Sequence, residues 1–138
     1  AGLCQDTSRN TIGMAINGRP EFYLLTPKPD RIEQLFGQSV PDVLRDLDVT
    51  VLARLVLIEL LGFTQAELDE EKAICYTSNA EEALDAAFSG ECDVSFLLNA
   101  TKNEQVCAVA ENCEIMPRKS TFYYPKVLTG LVLSSKSR

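Results

Sequence analysis

The stretch from Asp48 to Leu61, DVTVLARLVLIELL, constrains this fold more than any other. At a helical period its apolar side chains point to nearly every side, and a helix apolar all round has to be enclosed by other elements. It is well short of the roughly 20 residues a membrane span requires. It is therefore expected at the centre of a packed domain. Asp48 is a candidate N-cap and Gly62 a candidate for the residue just past the C-cap. Arg54 and Glu59 are expected at its wet edge.

The flanking sequence supplies strands and further helices. Residues 12–16 and 21–25 read as two strands, joined at Asn17-Gly18, a dipeptide that favours hairpins because both residues tolerate positive φ. Pro27 and Pro29 end the second strand. Residues 30–37 read as a short helix or irregular chain, and Gly37 to Pro41 as a turn, with Pro41 suited to the first turn of a helix. Thr64-Gln65-Ala66-Glu67 is a capping box opening another short helix. Residues 73–76 read as a strand. Asn79 caps a helix whose Ala83, Leu84, Ala87 and Phe88 share a face, Gly90 ends it, and residues 93–98 read as a strand. Strand, helix and strand in so short a span predict a right-handed βαβ crossover with parallel strands. Thr101 to Glu104 open a helix with Val106, Val109 and Ala110 inward, ended by Asn112. Two further strand-like pieces lie near 120–124 and 129–134. Residues 1–11 are polar and expected to be loosely attached. The expected fold class is α+β: a single domain over residues 1–138 with a mixed β-sheet, an N-terminal hairpin, a βαβ crossover and packed helices.

Composition narrows the function. The 138 residues are 46% hydrophobic, enough for a core without a disulfide or metal staple. There is no histidine, which removes every His-based triad, metal site and general base from this chain. The five cysteines, Cys4, Cys75, Cys92, Cys107 and Cys113, include no C-x-x-C pair. They are expected to be buried small hydrophobes in a reducing, cytoplasmic setting. No segment reads as a membrane span or a signal peptide. The net charge of −7 opposes general binding to nucleic acid or to an anionic membrane.

That charge is unevenly spread. Residues 116–138 hold five cations and no acid, whereas residues 1–115 hold eight cations and twenty acids. Within the basic part, Met116-Pro-Arg-Lys-Ser-Thr-Phe-Tyr-Tyr-Pro-Lys126 gathers cations and hydroxyls. Lysine suits a phosphate as a point charge, and hydroxyls and turn amides complete its hydrogen bonds. The candidate phosphate ligands are Lys119, Ser120, Thr121, Tyr123 and Lys126. On an extended strand Lys119, Thr121 and Tyr123 would face one side and Ser120, Phe122 and Tyr124 the other. A P-loop is rejected, since its glycines are missing and no helix follows. The alternative is an edge strand on which lysine discourages aggregation.

Residues 116–132, MPRKSTFYYPKVLTGLV, resemble the C-terminal signature of a bacterial and archaeal family of unknown function, domain of unknown function 1015. Leu47-Asp48-Val49-Thr50-Val51-Leu52 with Glu59 to Gly62 is similar to its central helix. Ile74-Cys75-Tyr76 through Phe96-Leu97-Leu98-Asn99 is similar to its strand–helix–strand region. Together the resemblance covers residues 12–133. Full-length members are longer, and their earlier part carries an Asp-Gly-His-His-Arg motif similar to the ParB and sulfiredoxin-like superfamily, whose members bind nucleotides or phosphates. With no histidine this chain has no such motif, and Ala53 stands where the family tends to place a histidine. The resemblance implies a C-terminal fragment of a longer protein that helps its own N-terminal domain form a phosphate or nucleotide site. Any nucleotide cofactor would then belong to the full-length protein. The alternative function is a structural or interaction module, with homodimerisation through the last segment.

Overall fold

A computed structural model of the chain describes residues 10–37, 39–70 and 73–121. Its fold is α+β. Strand β1 (Ile12–Ile16) is central in a three-stranded antiparallel sheet of order β2-β1-β3, with β2 spanning Phe22–Leu25 and β3 spanning Val94–Leu97.

The Asn17-Gly18 signal marks the connection between β1 and β2. Arg19 N–H donates to the Ile16 carbonyl at 3.1 Å, and of the two central residues only Gly18 takes a positive φ, at 72°. Asn17 gives its own N–H to the Asp93 carbonyl, which ties the loop to the approach to β3. Ala15 pairs with Phe22, so the loop is longer than the two-residue hairpin the dipeptide favours.

Alternation divides the sheet into two faces. Ile12 lies on the face toward the main core, where it joins Phe36, Val40 and Val51, with Leu25 and Phe96 packed against them. Ile12, Phe36 and Val51 are each 1% exposed, and burying such side chains stabilises a fold by about 1.5–3 kcal/mol apiece. Three helical segments complete that core: α1 (Pro29–Phe36), α2 (Asp42–Arg45) and α3 (Asp48–Val51). Pro29 stands at the start of α1, where its missing N–H costs nothing. Arg45 closes the α1–α2 turn by donating to the carbonyls of Val40 and Gly37 while pairing with Asp42 at 2.9 Å.

The opposite face carries the small residues Gly13, Ala15 and Ser95 together with Phe22, Leu24 and Leu97, and α5 (Ala80–Ser89), whose Ala87 is fully buried, packs against β1 and β3. Ser95 Oγ donates to the Ala83 carbonyl, which pins helix to sheet. An added Cβ at Gly13 would meet the Phe22 ring tip at 2.5 Å, so the ring would have to move aside.

The apolar helix begins at Asp48, but its N-cap is Leu47 and not Asp48, whose carboxylate makes no capping bond, and from Leu52 to Leu60 it winds as a π-helix. Leu61 N–H reaches the Val56 carbonyl, five residues back. The wider turn carries side chains out of the 3.6-residue phase. Val51 and Val56 are buried, whereas Leu60 and Leu61 at its end are exposed. Arg54 and Glu59 are exposed, as the pattern requires. Helix α4 (Gln65–Glu70) opens on its capping box: Glu67 N–H donates to Thr64 Oγ1, and Thr64 N–H donates to Glu67 Oε2. Helix α6 (Asn103–Glu111) has Lys102 as N-cap and Asn112 as C-cap, and docks on the end of α2 through Gln105 Nε2 and the Asp46 carbonyl. Val109 is its buried anchor, while Ala110 is exposed.

Several expectations need correction. Residues 73–76 form no strand, and β3 joins β1 antiparallel, so the described residues contain neither a βαβ crossover nor a mixed sheet. A four-residue apolar run lacks the information that names a ladder partner, and here β1 already has both sides occupied. Phe88 is 51% exposed and Ala87 carries the burial expected of their shared face. Asn10 and Thr11 are buried at 6% and 2%. Cys75, Cys107 and Cys113 are exposed and Cys92 is half-buried: Cys75 stands in a loop, and Cys107 lies on the α6 surface away from Val109. Cys4 and the strand-like stretch 129–134 lie outside the described residues. No helix among the described residues is long and apolar enough to cross a membrane.

Candidate anion-binding cleft

Two loops face each other across a cleft of about 380 Å³ lined by Tyr76, Thr77, Ser78, Lys119 and Thr121. The first loop leads into α5. Asn79, its N-cap, accepts the Glu81 N–H on Oδ1 at 3.0 Å. Thr77 Oγ1 accepts the Asn79 N–H and donates to Glu82 Oε2 at 2.8 Å, and Asn79 Nδ2 donates to the other oxygen of Glu82. The Thr77 hydroxyl is thus spent on holding its own loop. Ser78 and Thr121 bring further hydroxyls to the lining.

The second loop is a tight turn over residues 117–120. Ser120 Oγ donates to the Pro117 carbonyl at 2.6 Å, and Thr101 Oγ1 donates to the Ser120 carbonyl at 2.8 Å. Lys119, at the crest, has φ of 57°, a left-handed conformation unusual for a lysine. Its ammonium lies 5.8 Å from the centroid of the Tyr76 ring, within cation–π range. The neighbouring Arg118 turns toward Asp69 of α4, at 4.0 Å.

The candidate ligands therefore separate. Lys119 and Thr121 face one cleft. Ser120 does not line it; its hydroxyl is used to close the turn. The chain at 118–119 is a turn, not an extended strand, and Ser120 and Thr121 are not in a strand either. Tyr123 and Lys126 lie outside the described residues. Tyr76, Thr77 and Ser78 were not foreseen as lining residues. Their sequence signal is an aromatic residue and two hydroxyls directly before a helix cap, obscured when Tyr76 is assigned to a strand.

A second polar cluster also escaped the sequence. Asp48 Oδ2 accepts from Asn99 N–H at 3.2 Å and from Asn99 Nδ2 at 2.8 Å, and Nδ2 also donates to the Thr11 carbonyl. The Asn10 amide, with its nitrogen turned inward, donates to Asp48 Oδ1 and the Asp46 carbonyl. Residues 51 apart in sequence are thereby locked together. Among the described residues, no group of three or more His, Cys, Asp or Glu side chains is placed to hold a metal ion.

Comparison with family models, curated proteins and solved structures returned no match for this chain. The resemblance rests on its residues alone.

Proposed function

We propose that this chain supplies a phosphate-binding cleft to a longer cytoplasmic protein, whose N-terminal part completes a phosphate or nucleotide site. The observation that carries the reading is the convergence of Lys119 and Thr121, from the acid-free C-terminal segment, on the loop Tyr76–Ser78. Lys119 offsets phosphate charge, and Thr121 and Ser78 donate hydrogen bonds. Ser120 acts through the turn it closes. Residues held in sparsely populated backbone regions concentrate at binding sites, and Lys119 is one. Tyr123 and Lys126 extend the basic segment, and Lys126 adds a second cation in this proposal.

The test is titration of inorganic phosphate into the chain and into its Lys119→Gly variant. Glycine accepts the left-handed backbone and removes the whole side chain with its ammonium. Loss of binding with an unchanged melting temperature supports the reading; unchanged binding rejects it.

A second reading, a homodimerising interaction module, draws on β2, which stands at the edge of the sheet among the described residues and has Leu24 56% and Phe22 36% exposed. An unpaired edge with apolar side chains can pair with another chain. Sedimentation showing a dimer that Leu24→Lys converts to a monomer would favour it over ligand binding.

A further inference from the structure

We infer that Asn17 is a site of spontaneous covalent modification: its side-chain amide is lost to ring closure by the Gly18 nitrogen, and the aspartate or isoaspartate left behind loosens the tie between the β1–β2 loop and the turn that ends α5. The inference is independent of the cleft and of its ligand. Attack on an asparagine side chain needs an unobstructed nitrogen in the next residue, and glycine, with no Cβ, obstructs least. Asn17-Gly18 is the one Asn-Gly pair in the chain. Both residues are exposed, and an added Cβ at Gly18 would meet nothing within 4 Å. Among the described residues, neither the Gly18 N–H nor the Asn17 carboxamide has a hydrogen-bond partner. Nucleophile and electrophile are adjacent in the chain, and neither is engaged. The other five asparagines contrast with this. Hydrogen bonds hold the side chains of Asn10, Asn79, Asn99 and Asn112. Asn103 lies in the first turn of α6 and is followed by Glu104.

The step needs no co-reactant but water. The Gly18 nitrogen bonds to Asn17 Cγ, the Cγ–Nδ2 bond breaks, and the displaced nitrogen leaves as ammonia with the Gly18 proton. Water then opens the five-membered imide. Opening at Cγ gives aspartate. Opening at the Asn17 main-chain carbonyl gives isoaspartate, whose backbone runs through Cβ and Cγ and is longer by one carbon. The surroundings give both products a consequence. Asn17 N–H donates to the Asp93 carbonyl at 2.9 Å, and the carboxamide lies against Gly90, where an added Cβ would stand 3.4 Å from Nδ2. Residues 79–93 carry five acids and no cation, Glu91 and Asp93 among them. A carboxylate at position 17 is repelled by that segment, and exposed Arg19 offsets only part of the repulsion. Isoaspartate also stretches the turn that Arg19 N–H and the Ile16 carbonyl close at 3.1 Å. It is therefore the more disruptive product.

The test incubates the whole 138-residue chain at mildly alkaline pH, folded and in denaturant, and follows each asparagine by peptide mapping and mass spectrometry. In the folded chain Asn17 is expected to gain about 1 Da while the other five stay intact. The aged chain should melt a few degrees below fresh protein, and Asn17→Asp, which adds the charge without the extra backbone carbon, should fall by less. Asn17→Gln, whose longer side chain closes a ring far more slowly, should resist ageing. Asn17 left intact in the folded chain, whether or not it converts in denaturant, overturns the site, as does conversion no faster than at the other five. A chain converted at Asn17 that melts as fresh protein does overturns the loosening and leaves the modification site standing.

Discussion

The Asp48–Asn99 junction and the Lys119–Tyr76 cleft are both polar, and both bring together chain segments far apart in sequence. They differ in where their polar atoms point. At the junction, the Asp48 carboxylate, the Asn99 and Asn10 amides and the Thr11 and Asp46 carbonyls satisfy one another, and Asn10 and Thr11 are nearly sealed from water. At the cleft the lining side chains surround a space and Tyr76 stays half-exposed. A polar cluster closed on itself holds a fold together, whereas the cleft leaves a space between its side chains. Residues 99–101 belong to both. Asn99 completes the junction, and two residues later Thr101 fixes the turn that presents Lys119.

Asp48→Ala should have the largest effect on stability. It leaves the Asn99 and Asn10 donors without their acceptor, and the expected loss is about 2–3 kcal/mol in chemical denaturation. Binding of phosphate by the folded fraction should be unchanged. A loss below about 0.5 kcal/mol would break the contrast, since the junction would then be no more structural than an ordinary surface. Thr101→Val comes next. It keeps the shape and removes one hydrogen bond, worth about 1 kcal/mol. Because Thr101 positions the turn and does not line the cleft, phosphate affinity should also weaken several-fold. Unchanged affinity would show that the Pro117–Ser120 bond suffices to hold Lys119.

Local features of the fold were legible in the sequence, and long-range pairings were not. The capping box at Thr64–Glu67, the Asn79 cap and the strand at 12–16 depend on residues within a few positions of each other, and all stand as the sequence indicates. Gly90 ends α5 in a left-handed conformation with φ of 82°. The assignment of residues 73–76 to a parallel strand failed because apolar periodicity does not identify a partner, and β3 pairs with β1 instead. The π-helical stretch escaped because the 3.6-residue period was assumed throughout Asp48–Leu61. At the site, charge and hydroxyl content drew attention to Lys119 and Thr121. Tyr76 and Ser78 required a tertiary contact across more than forty residues, and Ser120 looked like a ligand because its bond to Pro117 depends on a turn that was read as a strand.

Lys119→Gly sharpens the same comparison from the other side. Relief of the left-handed strain and the added freedom of the unfolded chain oppose each other, so stability should change by less than about 0.5 kcal/mol while phosphate binding is lost. In the double variant Asp48→Ala/Lys119→Gly the two stability changes should add within about 0.5 kcal/mol, as expected for sites without shared partners. A larger coupling energy would mean that the 99–101 segment transmits strain between junction and cleft.

The smallest effect concerns acid. The Thr64 N–H, and then the Thr64 hydroxyl, donate to the Glu67 carboxylate and hold its pKa below the usual glutamate value. A lowered folded-state pKa stabilises the fold above the unfolded value, and that contribution fades as pH falls through the folded one. Glu67 is fully exposed, so its share is small and screened by salt. Its consequence is local: protonation loosens the first turn of α4, the helix whose Asp69 faces Arg118 beside the cleft. Glu67→Gln should therefore flatten the acid limb of the melting curve slightly and leave neutral-pH phosphate affinity unchanged. If phosphate affinity at neutral pH falls with Glu67→Gln, α4 belongs with the cleft and not merely with its supports, and the boundary between the two regions has to be drawn to include Asp69.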